Sequence, residues 1–170
     1  HLDAPRFEAF EHQPVSLIAI HLGWAQYARH LGAKADGCAF ADPLLSPARA
    51  LEALNQVPLP QELPTDAGNS TLSPARLLRL ATSASMEAAL SSRQEIYRRR
   101  MPCLQALKQS LNSLVGIREI KHAELVARVR GRYPDAESLP PQRQLLDRLL
   151  EEAGAPLVWD PNRDSAGAYV

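Results

Sequence analysis

The feature that most constrains this fold is a set of leucine repeats in the last seventy residues, where apolar side chains recur three and four positions apart. This spacing places them on one face of a helix, and proline or glycine bounds each segment. We therefore expect three helices around one core: a first between Pro102 and Gly116, a second over residues 122–133, and a third from about Pro140 to the residue before Gly154. The predicted core residues are Leu104, Leu107, Leu111 and Leu114, then Leu125, Val126, Val129 and Tyr133, then Leu145, Leu146, Leu149, Leu150 and Ala153.

Short segments with strand character lie between and after these helices. Residues 116–120 alternate between apolar and polar side chains, as in a half-buried strand. Residues 156–160 also predict a strand, and a turn-rich stretch over 161–167 leads to a returning strand at 168–170. The order helix, strand, helix, helix, strand, loop, strand is that of the winged helix-turn-helix fold. In that fold the third helix can enter the major groove of DNA while the loop reaches a neighbouring backbone.

The first hundred residues predict a β-hairpin followed by helices. Residues 6–11 alternate around two phenylalanines and residues 15–20 form an apolar run, so we expect the chain to open with a hairpin. A helix should follow over residues 22–39. Two Ser-Pro pairs, at residues 46–47 and 73–74, place a serine at the cap and a proline in the first turn, which predicts two more helices.

These predictions together give a mainly α protein with small β-hairpins, of the α+β class, in two domains. Residues 1–100 are expected to form a β-hairpin plus helical domain, and residues 101–170 a winged helix-turn-helix domain. A chain of 170 residues with 45% hydrophobic residues is long enough for two small cores. Because the chain begins at His1 without a methionine, we expect it to be part of a longer protein.

The distribution of charge, and not its total, favours DNA binding. Lys plus Arg and Asp plus Glu both number 19, so net charge gives no argument. On the third helix, however, Arg143 and Gln144 are residue types that pair with guanine and adenine. Arg128, Arg132 and Arg163 are expected near phosphates. The complete set of predicted DNA-binding residues is Lys121, Arg128, Arg132, Gln142, Arg143, Gln144, Arg148 and Arg163.

Other interpretations stay open beside DNA binding by these residues. Any amphipathic helix needs a polar outer face, so the charged side chains opposite the leucines are also consistent with simple solvent exposure. Asp147, Glu151 and Glu152 restrict a groove contact to the first half of the third helix. These acidic residues and the net neutrality favour, as the alternative, a protein-docking module within a larger defence or signalling protein. An enzyme is a third possibility, for which the sequence offers no active-site pattern.

The search for chemical motifs is negative. None of the 8 glycines forms a phosphate-binding loop, and the glycine-rich, His-Arg-Asp and Asp-Phe-Gly motifs of protein kinases are absent from these residues. No two histidines lie one helical turn apart with a carboxylate or cysteine between them, and Cys38 and Cys103 are expected to be buried free thiols. We therefore expect neither a metal nor a cofactor. No apolar run approaches the ~20 residues that span a bilayer and no leader is visible, so a cytoplasmic location is expected.

Several segments carry a resemblance to a known family. They are residues 89–102 (ALSSRQEIYRRRMP), 124–134 (ELVARVRGRYP), 149–154 (LLEEAG) and 159–161 (WDP), with similarity extending back to residues 41–54. The chain resembles the C-terminal region of bacterial phage-defence serine/threonine kinases of the PglW type, from BREX-like and related methylation-linked systems. The resemblance implies an intracellular kinase whose catalytic domain lies upstream, with this segment as a non-catalytic appendage. The expected partners of the chain are double-stranded DNA and other defence-system proteins.

Overall fold

The computed structural model of the protein describes residues 14–60, 72–163 and 167–170. The protein is mainly α with two small antiparallel β-hairpins, as the sequence predicts. In chain order its elements are α1 (Pro14–Ala39), α2 (Pro47–Leu54), α3 (Pro74–Ala84), β1 (Ala88–Leu90), β2 (Ile96–Arg98), α4 (Cys103–Ser110), a 3-10 turn (Leu111–Ser113), α5 (His122–Arg132), α6 (Arg143–Ala153), β3 (Trp159–Asp160) and β4 (Ala168–Tyr169).

The opening of α1 corrects one prediction. Residues 15–20, predicted as the second arm of a hairpin, lie in the first turns of this 26-residue helix. A short apolar run does not distinguish a strand from a buried helix, and here the run continues into the helical spacing of Tyr27, Leu31 and Ala35, which are buried. Pro14 also suits a first helical turn, where a missing N–H costs nothing. The other predicted arm, residues 6–11, lies outside the described residues.

Helices α1, α2 and α3 build an N-terminal core. Both α2 and α3 begin at the predicted Ser-Pro pairs. The hydroxyl of Ser46 accepts a hydrogen bond from the N–H of Arg49, whereas Ser73 makes no side-chain cap bond. Helix α1 packs closely on the end of α3, where a Cβ at Gly32 would collide with the backbone carbonyl of Ala84. This glycine allows two backbones to approach each other in a way that no other residue would permit.

The β1–β2 hairpin joins the two halves of the molecule and was not predicted from the sequence. Strand pairing places Ala89 opposite Tyr97 on one face and Leu90 opposite Ile96 on the other. Ala89 and Tyr97 pack into the C-terminal core, whereas Ala88 and Ile96 pack into the N-terminal core. Because successive side chains of a strand point to opposite faces, one short hairpin serves both cores. The C-terminal core therefore includes residues that precede position 101.

Helices α4, α5 and α6 surround the C-terminal core at the predicted positions. Fully buried side chains from the three helices include Leu107, Leu125, Leu146 and Leu150. Leu145, which we predicted to be buried, is instead 46% exposed, because the buried stripe of α6 runs through Leu146, Leu150 and Ala153. The end of α6 is as predicted: Gly154 has a φ of 72° and caps the helix in the left-handed conformation.

Three short segments complete the C-terminal half. The predicted strand over 116–120 is reduced to Ile120, whose N–H and C=O both pair with Tyr169. Strand β4 also pairs with β3, where Val158 exchanges two hydrogen bonds with Val170 and Trp159 lies opposite Tyr169. The lateral order is therefore Ile120, β4, β3, with β3 on the outside among the described residues. The order of helices and strands along the chain is the predicted one.

Candidate nucleic-acid interface

A cluster of four side chains ties the start of α6 to the β3–β4 hairpin. Arg143 Nη1 donates to Asp147 Oδ2 at 3.0 Å, and the hydroxyl of Tyr169 donates to Asp147 Oδ1 at 2.8 Å. The Arg143 guanidinium also lies 5.5 Å from the centre of the Trp159 ring, which packs edge-to-face on Tyr169. An acid and an aromatic ring therefore both contact the exposed Arg143 side chain at the candidate interface.

The proton of Tyr169 is held firmly in this cluster. Burial of the phenol raises its pKa above the ordinary value of 10.0, and the hydrogen bond to Asp147 and the charge of that carboxylate raise it further. Arg143 opposes these effects with a smaller lowering of the same pKa. Tyr169 therefore remains a hydrogen-bond donor at neutral pH, which keeps Asp147 between the tyrosine and the arginine.

The first turns of α6 present the predicted base-reading residues to solvent. Gln142, Gln144 and Arg148 are exposed, and Arg143 keeps 44% of its side chain accessible despite its ion pair. Exposed ion pairs contribute little stability, so Arg143 can exchange its carboxylate partner for another acceptor at small cost. Arg148 forms no ion pair with any residue that the structure describes. This end of α6 is therefore accessible and rich in hydrogen-bond donors.

Three predicted phosphate contacts also lie at the surface. Lys121 immediately precedes α5 and is exposed. Arg128 pairs with Glu124 one turn earlier on α5 at 3.0 Å, and both side chains are largely exposed. Arg163 follows β3 and pairs with Asp160 at 3.4 Å. Because both ion pairs join residues close in sequence and are exposed to solvent, Arg128 and Arg163 can still bind a phosphate.

Arg132 has a different environment from the one that we predicted. Its side chain is only 11% exposed, and its Nη2 lies 2.9 Å from Oε1 of Glu95. Its Nη1 donates to the backbone carbonyl of Gln109 at 2.7 Å. The guanidinium thus joins α5 to the β1–β2 turn and to the end of α4. This arrangement removes Arg132 from the candidate interface and gives it a structural role.

Glu95 is the centre of a polar network at this junction. Its Oε2 accepts hydrogen bonds from the hydroxyls of Ser91 and Tyr133, at 3.0 and 3.2 Å. Burial raises the pKa of Tyr133 above its usual value, and the neighbouring Glu95 carboxylate raises it further. Sequence reasoning missed Glu95 because its partners lie 37 and 38 positions further along the chain. Asp147, by contrast, carried a visible signal, since it lies one helical turn after Arg143.

Acidic side chains from the middle and the end of α6 border a cleft. Asp147 and Glu151 lie along the same face of the helix, and with Arg143 they line one wall of a cleft of about 470 Å³. The opposite wall comes from residues 157–159, at and before β3. Charge therefore changes along α6, from arginine-rich at its start to acidic at its end. A groove contact is consistent with the start of the helix alone.

Histidine, acidic and cysteine side chains elsewhere in the described residues are the candidates for metal or thiol sites. Within residues 14–60, 72–163 and 167–170, no three His, Cys, Asp or Glu side chains gather in a way that could hold a metal ion. Cys38 and Cys103 are both free thiols, and burial raises the pKa of Cys38 while nearby Lys34 partly lowers it. Among the described residues no helix is long and apolar enough to cross a membrane.

Comparisons with protein-family models, with curated proteins and with solved structures find no match for this chain.

Proposed function

We propose that this chain is a non-catalytic, winged-helix DNA-binding module in which the first half of α6 enters the major groove. The observation that carries the proposal is the exposed face of α6, which is supported from behind by a buried leucine stripe. Gln142, Arg143 and Gln144 lie at the start of this helix and Arg148 lies at its middle. The order of the three helices and the short strands supports this proposal, because it is the order of the winged helix-turn-helix fold.

The roles of the residues follow from their chemistry and their places on the surface. Arg143 and Gln144 carry the bidentate donor and acceptor groups that read base edges. Lys121 and Arg128 lie at α5, and Arg163 lies in the loop between β3 and β4. We assign these three residues, with Arg148, to the phosphate backbone, which fixes the register of a protein on DNA without reading its sequence.

The test is the affinity of the protein for a fluorescein-labelled DNA duplex, measured by anisotropy across a salt series. Four phosphate contacts predict a slope of about −3.6 for log K against log salt, which corresponds to about a hundredfold loss of affinity between about 50 and about 200 mM salt. A flat response would contradict the proposal and would favour the protein-docking alternative, which the acidic half of α6 also suggests.

Variants separate the two kinds of contact. Arg148→Ala should weaken binding to all sequences and reduce the salt slope by about 1. Gln144→Ala should instead change the preference among sequences, with a cost of about 1 to 3 kcal/mol for the preferred base. Arg49→Ala is the matched control, because Arg49 is an exposed helical arginine on α2 in the N-terminal half. An equal loss for Arg49→Ala and Arg148→Ala would show that binding is a general effect of positive charge.

The proposal extends to the parent protein. The resemblance to PglW-type kinases makes this chain a candidate C-terminal part of a bacterial anti-phage serine/threonine kinase acting in the cytoplasm, with other defence-system proteins as further partners. The experiment is to read the complete open reading frame that contains this chain. An upstream kinase domain with its glycine-rich loop and catalytic loop would support this extension, and a short regulator without one would contradict it.

A further inference from the structure

We propose that the cleft between α6 and β3 is a second binding site, which takes an extended peptide segment carrying arginine or lysine. The cleft adjoins the proposed DNA-binding surface and shares Arg143 with it, but its far end is acidic. Three features point to this site: the shape of the cleft, its charge, and the outer edge of β3, which no described strand covers.

The charge of the cleft selects a cation. Glu151 lines the cleft, and no ion pair with it is formed by any described residue. It lies in the last turn of α6, where the carbonyl ends of the helix add a negative partial charge. Asp147 lines the same wall one turn earlier. Cationic side chains are favoured near a helix C-terminus for the same electrostatic reason.

The protein already places one cation in this cleft. The guanidinium of Arg143 lies between the carboxylate of Asp147 and the ring of Trp159, at 3.0 Å and 5.5 Å respectively. An acid and an aromatic face are the two features that hold a guanidinium outside water. The opposite end of the cleft, beside Glu151, offers an acid without this internal partner. An arginine or lysine supplied by a ligand would give Glu151 the cationic partner that Arg143 gives Asp147.

The backbone of β3 explains why the ligand should be extended. Val158 exchanges both of its hydrogen bonds with Val170, and Trp159 lies opposite Tyr169, whose own backbone groups pair with Ile120. In an antiparallel pair successive residues direct their N–H and C=O groups to alternate sides. Leu157 and Trp159 therefore direct these groups to the outer side of β3. No described strand covers that side, so an added strand can pair there.

The side chains on this edge suit a mixed ligand. Val158 is 71% exposed, and Trp159 is partly exposed beside it. Because consecutive side chains of a strand point to opposite faces, Val158 and Trp159 lie on different faces of this edge. A peptide that alternates aliphatic and basic residues would place its aliphatic set beside Val158 and its basic set on the face of Trp159, toward Glu151. A cleft of about 470 Å³ has room for several such side chains. The ligand chemistry is therefore a basic, alternating segment of a partner protein.

The experiment uses the full chain and a short fluorescein-labelled peptide of alternating arginine and valine. Glu151→Lys should weaken peptide binding about tenfold, because it removes an attraction and adds a repulsion. Glu152→Lys is the matched control: it makes the same charge change at the next, exposed position of α6, outside the cleft lining, and should cost less than about threefold. Both positions are exposed, so both variants should fold.

Two further measurements make the result decisive. A peptide with the same sequence but N-methylated backbone should lose most of its affinity, because it cannot donate to the edge of β3. In NMR spectra of the backbone amides, the peptide should shift the N–H signals of Leu157 and Trp159 more than that of Val158, whose N–H already donates a hydrogen bond within the sheet. Any one of three results would overturn the proposal. They are an equal loss of peptide affinity for the two lysine variants, unchanged binding of the N-methylated peptide, and equal binding of a peptide with glutamate in place of arginine.

The same variants keep this site separate from the DNA proposal. Glu151→Lys adds positive charge to α6, so duplex affinity should stay the same or rise by a small factor while peptide affinity falls. If the chain fails to bind DNA, the peptide measurements still stand by themselves. If the peptide fails to bind, the salt-dependent affinity for DNA is unaffected.

Discussion

Removing one partner of the Arg132–Glu95 ion pair should destabilise the fold more than removing one partner of any other charged pair described above. Both side chains are largely buried, at 11% and 19% exposure, and their closest atoms are 2.9 Å apart. Arg132→Met keeps most of the side-chain volume but leaves Glu95 without its cation and the carbonyl of Gln109 without its donor. Removing one partner of a buried pair costs about 3 to 5 kcal/mol. The remaining exposure reduces the expected loss to about 2 to 3 kcal/mol of the free energy of unfolding.

Urea denaturation followed by circular dichroism measures this loss directly. The matched control is Arg128→Met on the same helix, because Arg128 makes an ion pair of similar length, 3.0 Å, with both partners exposed. That variant should lose less than about 1 kcal/mol. The double variant Arg132→Met with Glu95→Gln should recover part of the loss, since no buried charge is left without a partner.

Similar losses for the two arginine variants would refute the argument that burial determines the strength of the pair. A double variant no more stable than Arg132→Met alone would refute the argument that the unpaired carboxylate causes the loss. Arg132→Met should also leave the salt slope of DNA binding unchanged, because Arg132 has no part in the proposed interface. A reduced slope in the folded variant would return Arg132 to the set of phosphate contacts.

Three further predictions concern packing and pH. Gly32→Ala should lower the free energy of unfolding by about 2 kcal/mol or more in urea denaturation, because the new Cβ collides with the Ala84 carbonyl. Gly37→Ala is the control in the same helix: nothing lies within 4 Å of its Cβ, so it should raise the free energy of unfolding by up to about 1 kcal/mol. Leu146→Ala should cost about 2 to 5 kcal/mol in the same assay, because Leu146 is 0% exposed. Leu145→Ala should cost less than about 1 kcal/mol, because Leu145 is 46% exposed. Equal costs would contradict the observed buried face of α6. Because the pKa of Tyr169 is raised in the folded state, the folded protein keeps a proton that the unfolded chain releases near pH 10. The stability that this group contributes is therefore complete below pH 10 and is lost as the pH rises above it. Tyr169→Phe should therefore show a smaller decrease in stability between pH 9 and pH 11 than the unchanged protein, and identical decreases would contradict the pKa shift.

The helices of the C-terminal half could be predicted from sequence because local signals mark them. Their leucines recur with the helical period, and Pro102, Pro134 and Gly154 act on the backbone within one or two residues. The structure ends α6 at Ala153, directly before the glycine that was predicted to cap it. Such signals need no knowledge of the rest of the chain.

The features that were missed depend on distant residues. The strands β1 and β2 have three residues each, and β1 consists of alanine and leucine, which have little preference for strands. The burial of Arg132 is set by Glu95, 37 positions away. The exposure of Leu145 depends on which of several adjacent leucines faces α4. None of these properties is contained in a local pattern.

At the candidate site the sequence identified side chains but not their arrangement. Arg143 and Gln144 were predicted from residue type and position on a helix, and both are exposed. The hydrogen bond between Tyr169 and Asp147 joins residues 22 positions apart, and the contact of Arg143 with Trp159 likewise joins α6 to β3. These contacts require the tertiary fold, so they could not be read from spacing.

The shared β1–β2 hairpin also determines where the protein can be divided. A fragment that starts at residue 101 would lack Ala89 and Tyr97, leaving a hole beside Tyr133, whose ring packs edge-to-face on Tyr97. It would also lose Glu95, the anionic partner of Arg132. A recombinant fragment meant to isolate the C-terminal helices therefore has to begin before Ala88. Such a fragment would in turn expose Ala88 and Ile96, which would need polar replacements to stay in solution.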